Sequence, residues 1–505
     1  MCDMGLAQVS GAVIAGMTGT VVTVEVDVAQ GLPTVGLVGL ADASIGEARH
    51  RARCAVGNTG LRWPLGRVTI GLSPAHVRKH GTGLDLPIAI GVLAADGQLE
   101  ISDGCAPVIV GELGLDGQVR DVPGAITVVC AAQQAGFDRI VVPAEHVGEC
   151  SRVPGIDVVG VRSLAEAVGV VAGSHTGIRV GNPGNRRKVR SEPDLADVVD
   201  QREGRRALEI AAAGRHSLAM LGPPGVGKTL LAERLPGLLP DLTPAESVDV
   251  MAVHALVTHS DVVPGEDARP PFQSPHHSSS PAALLGSVSG GSVRPGSVSL
   301  AHQGVLFLDE APEFPRNSLE ALRQPLESGV VSLHRAGWSG EVPANFQLLL
   351  AANPCPCGYR HAPPRLQRHC SCPRTAISSY AQRISGPLLD RIDLRIRLQP
   401  VVGAESGEST EAVRARVHAA RERAQQRWGS TNAKVGLQTL MDHRMQGDAS
   451  EAVNGFLRES GGMRSTHRVA RVAWTLADLE GCDAPRIRHV REAIELHQPM
   501  WDEAT

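Results

Sequence analysis

The first part of the chain, residues 1–172, alternates β-branched runs with glycine-rich turns. Runs of this kind, bounded by glycine or proline, predict β-strands, and they occupy residues 21–28, 67–73, 107–115 and 139–143. Between them, residues 43–60 and 85–97 carry longer stretches that are typical of helices. The alternation predicts an N-terminal α/β or α+β domain.

The pattern then changes three times. Residues 173–194 are polar, basic and rich in glycine and proline, which predicts a linker. Residues 195–400 contain continuous apolar runs, SLAMLG, GVLFLD and FQLLLAAN, which are typical of buried parallel strands flanked by helices. Residues 401–505 follow a helical pattern and predict a small C-terminal helical lid. The predicted fold class is therefore multidomain α/β, with a central αβα domain.

The composition limits the ways in which the chain can contact nucleic acid and indicates its cellular compartment. The 505 residues carry a net charge of −4, so any contact with nucleic acid must come from a local patch of arginines. Aromatic residues are only 3% of the chain, which argues against several base-stacking platforms. The sequence has no long uncharged apolar run and no basic signal-peptide start, and its ten cysteines do not form a secreted framework. We therefore expect a cytoplasmic protein without a membrane span.

The strongest motif is GPPGVGKT, which lies between a predicted strand and a predicted helix. This is the context that a phosphate-binding loop requires, because glycines let backbone N–H groups surround the phosphates of ATP. Lys228 would reach the β and γ phosphates, and Thr229 would bind Mg²⁺. The predicted nucleotide-binding residues are Gly222, Pro223, Pro224, Gly225, Val226, Gly227, Lys228 and Thr229.

A second apolar run, GVLFLD, ends in two acids, Asp309 and Glu310. Together with the phosphate loop, this pair predicts an AAA+ type ATPase, in which Asp309 binds Mg²⁺ and Glu310 polarises the attacking water. Asn353 ends the next apolar run, where its side chain can orient the same water.

Arg391 lies in the sequence LLDRID and has two interpretations. It is either one half of an ordinary surface ion pair, or a finger that reaches the γ-phosphate held by a neighbouring subunit. Arg383 and Arg395 are lesser candidates for the same role.

Two C-x-C pairs, Cys355 with Cys357 and Cys370 with Cys372, are twelve residues apart. Four thiolates from two tight turns can make a closed structural zinc site, although the spacing is shorter than the commoner C-x₂-C. A disulfide pairing is the alternative, and the cytosol disfavours it. The other six cysteines, Cys2, Cys54, Cys105, Cys130, Cys150 and Cys482, are interpreted as buried small apolar groups.

The adjacent His276 and His277 resemble a metal cluster or a catalytic cluster. No carboxylate lies near them in the sequence, so we interpret this stretch as a structural or substrate-facing loop.

The segments GPPGVGKT, SPHHSSS, RPGSVSLAHQGVLFLDEAPEF, LEALRQPLESG, AANPCPCGY and SGPLLDRIDL occur in this order. Together they resemble the magnesium-chelatase-like AAA+ family, and within it the ComM/YifB group, over nearly the whole chain. The resemblance implies a homo-hexameric ring with ATP between subunits, and DNA helicase activity in branch migration during recombination or uptake of DNA. It also implies recombination proteins as partners.

The resemblance also implies further site residues. Arg391 falls on the finger position, and Arg464 or Arg468 falls on the sensor arginine of the lid, with the register between the two left open. A hairpin over 330–343 and an insert after the phosphate loop would face the pore. On them, Arg335 and Arg294 are the candidates for gripping DNA phosphates, with an ion pair between Arg335 and Glu341 as the alternative.

The N-terminal domain resembles the Lon-protease fold, in which a serine and a lysine perform acyl transfer. Here the serine position falls on Gly83 and the lysine position on Ile126, and Thr82 is the neighbouring hydroxyl. Without a nucleophile and a base there is no acyl-transfer mechanism, so we expect a degenerate protease fold.

Three functions therefore compete. A DNA-translocating helicase leads, a chelatase-like remodelling chaperone that acts on a protein partner comes second, and an ATP-dependent protease comes third. The first two share every ATPase residue, so fold analogy alone does not separate them.

Overall fold

The structure is a computed structural model of the 505-residue chain. It describes residues 5–39, 43–75, 79, 81–101, 106–179, 193–257, 268–289, 292–335, 338–360, 370–400, 403, 406–443, 445, 447–460, 462–497 and 499–501. Residues 180–192, most of the predicted linker with its basic stretch Arg186–Arg190, lie outside this set.

The N-terminal region is built on a seven-stranded mixed sheet with the order β3-β4-β2-β1-β5-β8-β9. Its strands are β1 (Leu6–Ala15), β2 (Thr18–Ala29), β3 (Thr34–Val38), β4 (Arg67–Ser73), β5 (Val108–Ile109), β6 (Glu112–Leu113), β7 (Val119–Arg120), β8 (Arg139–Pro143) and β9 (Asp157–Val161). Its helices are α1 (Ala43–Asn58), α2 (Asp85–Ala95), α3 (Ala125–Gln134), α4 (Val147–Cys150) and α5 (Leu164–Val171). The short strands β6 and β7 form a separate antiparallel pair.

Most of the local expectations for this region hold, and one is wrong. The runs at 21–28, 67–73 and 139–143 lie in β2, β4 and β8, and the two helical stretches become α1 and α2. The run at 107–115 is not one strand, because β5 and β6 belong to different sheets. Between β5 and β6, the Gly111 amide donates to the Gly83 carbonyl over 3.0 Å, and the Gly111 carbonyl accepts from the Leu86 amide over 3.1 Å. The chain therefore leaves the sheet to pair with the loop before α2.

The two positions that correspond to a protease's serine and lysine have apolar surroundings. A Cβ at Gly83 would lie 3.2 Å from Cγ1 of Val110 and 3.4 Å from Cγ1 of Val122. Ile126 is fully buried in the same cluster of apolar side chains. The neighbouring Thr82 hydroxyl hydrogen-bonds the Glu112 carboxylate. Neither of the two positions provides a nucleophile or a general base.

The central region is a five-stranded parallel sheet with the order β11-β14-β17-β10-β18. Its strands, with those of two hairpins, are β10 (Leu218–Leu221), β11 (Phe272–Gln273), β12 (Gly286–Ser289), β13 (Ser292–Pro295), β14 (Val305–Leu308), β15 (Val330–Arg335), β16 (Trp338–Pro343), β17 (Gln347–Ala352) and β18 (Leu394–Arg397). Its helices are α6 (Arg202–Gly214), α7 (Lys228–Ala232), α8 (Leu235–Leu238), α9 (Pro244–His254), α10 (Pro281–Leu285), α11 (Ser297–Leu300), α12 (Arg316–Ala321), α13 (Arg323–Ser328), α14 (Arg374–Ala381) and α15 (Gly386–Leu389). Every residue of β10, β14 and β17 is buried, as continuous apolar runs predict.

The C-terminal region is helical. It comprises α16 (Thr410–Trp428), α17 (Leu437–Asp442), α18 (Gly447–Ser460), α19 (Met463–Leu479) and α20 (Ile487–Glu495). Val417 of α16 and Val472 of α19 share one hydrophobic core with Leu208 of α6 and with the sheet. The helices therefore pack against the central region as part of its core.

The N-terminal region also packs directly on the central one. Val248 and Met251 of α9 belong to the same buried cluster as Val128 and Ala132 of α3. Among the described residues, no helix combines the length and the apolar character needed to cross a bilayer.

Candidate functional site

The phosphate loop lies at the carboxyl end of β10, an interior strand between β17 and β18, and leads into α7. Gly225 and Gly227 have φ angles of 81° and 92°, a left-handed backbone that favours glycine. These two residues let the loop turn back on itself, so that its amides face one point. Sequence and structure therefore agree on the position of this loop.

Lys228 is buried inside the loop that carries it. Its Nζ donates to the carbonyls of Gly222 and Pro223, over 2.6 and 3.0 Å, and to Oδ1 of Asn353 over 3.0 Å. Burial lowers the pKa of Lys228 to about 8, although the charges of Asp309 and Glu310 oppose this shift. The structure thus brings the predicted phosphate ligand and the predicted water-orienting asparagine into direct contact.

Thr229 and Asp309 meet across the sheet edge. The Thr229 hydroxyl donates to Oδ2 of Asp309 over 2.7 Å, although 80 residues separate the two in sequence. A hydroxyl and a carboxylate are oxygen donors of the kind that Mg²⁺ prefers. The donor set therefore fits a magnesium ion.

Glu310 follows Asp309 in a left-handed conformation, with φ of 50°. Its amide donates to Oδ1 of Asp309 over 2.9 Å, and its carboxylate is half exposed. Nδ1 of His277 lies 3.3 Å from Oε2 of Glu310. The sequence shows no carboxylate near His277, but the fold places the carboxylate of Glu310, the candidate for polarising water, beside it.

A second group of charged residues lies at the opposite, amino edge of the sheet. A cavity of about 720 Å³ there is lined by Arg391 and by both lid arginines. The basic residues around it are Arg215, Arg391, Lys434, Arg464, Arg468 and Arg471. Only two acids, Glu327 and Asp393, line the same cavity. This excess of positive charge suits a polyanionic ligand such as a triphosphate.

Buried contacts fix the position of Arg391. Ser217, just before β10, donates its hydroxyl to the Arg391 carbonyl over 2.9 Å and accepts from the Asp393 amide over 2.9 Å. The Arg391 guanidinium pairs with Glu327, and it also donates to the Pro387 carbonyl over 2.5 Å. The ion pair that the sequence offered as an alternative therefore exists within the isolated chain, on the wall of the basic cavity.

The two lid arginines differ in their surroundings. Arg468 lies 3.4 Å from Oδ1 of the buried Asp393, and burial lowers its pKa. Arg464 is exposed at the same cavity. Both sensor candidates thus share the cavity with Arg391, with Arg468 anchored and Arg464 at the surface.

The phosphate loop and the basic cavity lie at opposite ends of β10. The four residues of β10 separate Ser217 from Gly222, and at about 3.3 Å per residue this places the edges more than about 10 Å apart. The other finger candidates are engaged inside the chain. Arg383 pairs with Glu313 over 2.8 Å, and Arg395 donates to the Leu389 carbonyl over 2.8 Å.

The four predicted zinc ligands come together. Their Sγ atoms all lie within 4.8 Å of one another, with Cys355 at 3.4 Å from Cys357 and 3.6 Å from Cys370. A tetrahedral zinc with bonds of about 2.3 Å would separate its sulfurs by about 3.8 Å. Burial opposes ionisation of Cys357, but a hydrogen bond from the Tyr359 backbone and contacts with the neighbouring thiols lower its pKa to about 7. The donors therefore fit zinc.

The remaining cysteines only partly match the expectation of burial. Cys150 is buried, whereas Cys54 is exposed and Cys130 and Cys482 are intermediate. The prediction is wrong for Cys54, which lies on an outward-facing position of α1. Cys2 and Cys105 lie outside the described residues.

The candidate DNA-binding arginines lie on two hairpins. Arg294 is exposed on β13, opposite Ser287 of β12. Arg335 ends β15 opposite Trp338 of β16, and its side chain lies outside the described part. Strands β12 and β15 contact each other, so the two hairpins are neighbours.

Comparison with known proteins supplies the family. The family model "Magnesium chelatase, subunit ChlI" matches residues 194–406, "Subunit ChlI of Mg-chelatase" matches 24–146, and the C-terminal model of the same subunit matches 407–497. An uncharacterized protein of Mycobacterium tuberculosis is 44% identical over 98% of this chain and 99% of its own length. YifB of Escherichia coli and competence protein ComM of Haemophilus influenzae are each 38% identical over 97% of both chains.

The phosphate loop, the acid pair and the parallel sheet define an AAA+ ATPase that uses ATP and Mg²⁺. Within that class, the chain belongs to the magnesium-chelatase-like family, in the ComM/YifB group.

Proposed function

We propose that this chain is the subunit of a hexameric ring motor that hydrolyses ATP between subunits and moves along DNA. One arrangement supports the assembly: the candidate ATPase residues of each chain fall into two groups on opposite edges of one sheet. The loop edge has the phosphate cradle and the acids, and the cavity edge has the arginines. Two chains in contact would complete one site.

At the loop edge, different residues bind the phosphates, bind the metal ion and orient the water. Lys228 and the loop amides would hold the phosphates, while Thr229 and Asp309 would hold a magnesium ion, which would supply positive charge to the phosphates. Glu310 accepts a hydrogen bond from the attacking water and turns its lone pair toward the γ-phosphorus. Asn353, already in contact with Lys228, orients that water from the other side.

At the cavity edge, Arg391 releases Glu327 and donates to the γ-phosphate of the neighbour's nucleotide. A guanidinium in this position stabilises the charge that builds up on the transferred phosphoryl group. Arg464 or Arg468 joins it from the lid, because both line the same cavity.

DNA would contact the two hairpins. Hairpin β12–β13 lies between β11 and β14, and hairpin β15–β16 lies between β14 and β17. The chain passes from hairpin β15–β16 directly into β17, and from hairpin β12–β13 through α11 into β14, and each of these two strands ends at candidate catalytic residues. Arg294 and Arg335 would grip phosphates without reading bases, which suits movement along any sequence. The resemblance to the ComM group supports DNA as the track.

A remodelling motor that acts on a protein partner is the second candidate, and the family models named for a magnesium chelatase subunit favour it. Both candidates use the same ATPase residues. They differ in whether DNA or a protein accelerates hydrolysis.

The deciding experiment measures the ATPase rate of the full chain with and without single-stranded and branched DNA. A DNA motor should be stimulated, and the Arg294→Ala, Arg335→Ala double variant should keep its basal rate but lose stimulation and strand displacement. An exchange of Arg316, which lies outside both hairpins, to alanine serves as the control. A basal rate that no DNA changes would contradict the DNA assignment and favour the protein-remodelling alternative.

We also propose that Cys355, Cys357, Cys370 and Cys372 hold one structural zinc ion per chain. The close approach of the four sulfurs supports this assignment. Metal analysis of protein purified without added zinc tests it, and a content near zero would contradict it.

A further inference from the structure

The four-cysteine cluster is joined directly to the ATP site. Asn353, whose Oδ1 contacts Lys228, is only two residues before Cys355. The tight turn between the first two cysteines and Arg360 is closed by the Gly358 amide, which donates to the Cys355 carbonyl over 2.9 Å, and by the Arg360 amide, which points at Cys355 Sγ over 3.4 Å. The first half of the cluster and the end of β17 are therefore one continuous structure.

The same turn presses on the phosphate loop. Gly358 has φ of 82°, and a Cβ built on it would lie 2.6 Å from Cδ of Pro224. That distance is shorter than any normal contact, so only glycine allows the turn to pack this closely against the loop. The cluster thus touches the ATP site in two places, through Asn353 and through Pro224.

The second half of the cluster reaches the same point from another direction. Cys372 is followed, after Pro373, by α14, and the backbone of Asn353 lies close enough to the buried Tyr380 on that helix to oppose the burial that raises the pKa of its hydroxyl. A metal ion that joins the two halves would therefore hold Asn353 between the turn and α14. Without it, four neighbouring sulfurs would have only weak contacts with one another.

We propose that the cluster is a zinc-held clamp on the phosphate loop, so that bound zinc sets the affinity of this chain for ATP. The clamp deepens the proposed ATPase function and rests on it. Zinc takes no part in hydrolysis here, because four thiolates close its coordination sphere and leave no open position. Its effect is positional: it keeps Asn353 and Pro224 in the arrangement that binds phosphates.

The first test removes the metal from the side remote from the loop. The Cys370→Ser, Cys372→Ser double variant leaves every residue that touches the phosphate loop unchanged. We expect bound zinc to fall from one per chain to near zero, and the Kd for Mg-ATP to rise at least tenfold in direct binding measurements. Cys54→Ser, an exposed cysteine on α1, is the matched control and should change neither quantity.

A second variant tests the contact between Gly358 and Pro224 while leaving the zinc ligands intact. Its result does not depend on whether the double cysteine variant folds. Gly358→Ala keeps all four cysteines, so zinc should stay bound, but its Cβ meets Pro224 and ATP affinity should fall. Gly136→Ala is the control for backbone strain, since Gly136 has φ of 85° and a Cβ added there would meet nothing within 4 Å.

Any of three results would overturn the clamp: zinc-free protein that binds ATP as tightly as the zinc-loaded chain, Gly358→Ala protein with unchanged affinity, or wild-type protein that contains no zinc after purification without added metal. The motor proposal would fail in a different way. In that case the wild-type protein would bind ATP in a zinc-dependent manner, but DNA would not stimulate its ATPase activity.

Discussion

The carboxyl and amino edges of the central sheet differ in charge and in how far their side chains are connected to one another. At the carboxyl edge, Lys228 already contacts Asn353 and Thr229 already contacts Asp309 within a single chain. At the amino edge, six basic residues surround a cavity that holds only two acids. The carboxyl edge is therefore a nearly complete binding site, whereas the amino edge carries more positive than negative side chains.

The difference indicates how the ring would be controlled. A phosphate-binding half that is assembled within one chain can bind ATP without a neighbour, and an arginine supplied by the next chain can then decide when hydrolysis occurs. Binding and turnover should therefore respond to mutations at different edges, and the following predictions test that separation.

The largest effect is expected at the loop edge. Lys228→Ala should abolish ATP binding, because the ammonium group is the main positive charge among the loop residues that face the phosphates. Direct binding measurements with Mg-ATP check this. Lys434→Ala, which removes a lysine at the other edge, is the matched control and should leave affinity within a few-fold of wild type.

Glu310→Gln should bind ATP normally and stall before hydrolysis. The amide keeps the shape of the side chain but cannot polarise water as a carboxylate does. Trapping of radiolabelled ATP together with steady-state turnover checks the prediction. Normal turnover would mean that another residue orients the water.

Arg391→Ala should leave nucleotide affinity nearly unchanged and lower turnover about 10³-fold, the lower range for arginine fingers. Because the finger acts on a neighbour, mixing Arg391→Ala chains with Lys228→Ala chains should restore some activity where two intact halves meet. Rings verified as mixed, yet inactive at every ratio, would show that the arginine does not act between subunits.

The smallest effects should distinguish the lid arginines. Arg464→Ala should reduce turnover without changing the melting temperature, because Arg464 is exposed. Arg468→Ala should also lower the melting temperature, since it leaves the buried Asp393 with less compensating charge. Equal melting temperatures for the two variants would contradict the difference in anchoring described above.

Sequence patterns were most informative where the signal is local. The apolar runs that became β10, β14 and β17 and the glycines of the phosphate loop could be read directly, because burial and backbone conformation dictate those residues. The run at 107–115 misled for the opposite reason: its apolar character reflects burial, but Gly111 pairs with a distant loop.

Contacts between distant segments could not be predicted in the same way. His277 and Glu310 are far apart in sequence, and their approach depends on β11 pairing in parallel with β14. The sequence leaves the identity of the sensor arginine open, because Arg464 and Arg468 are one helical turn apart, and their difference in exposure and in distance from Asp393 appears only in the fold.

The shared core between α3 and α9 has a practical consequence for dissecting this protein. Val248 and Met251 of α9 are buried against the N-terminal region, so a fragment that begins at the predicted linker would expose them to water. Such a fragment would be prone to aggregation through this newly bared apolar surface. Deletion phenotypes of the N-terminal region should therefore not be assigned to a missing activity until the solubility of the truncated motor has been restored, for example by polar substitutions on α9.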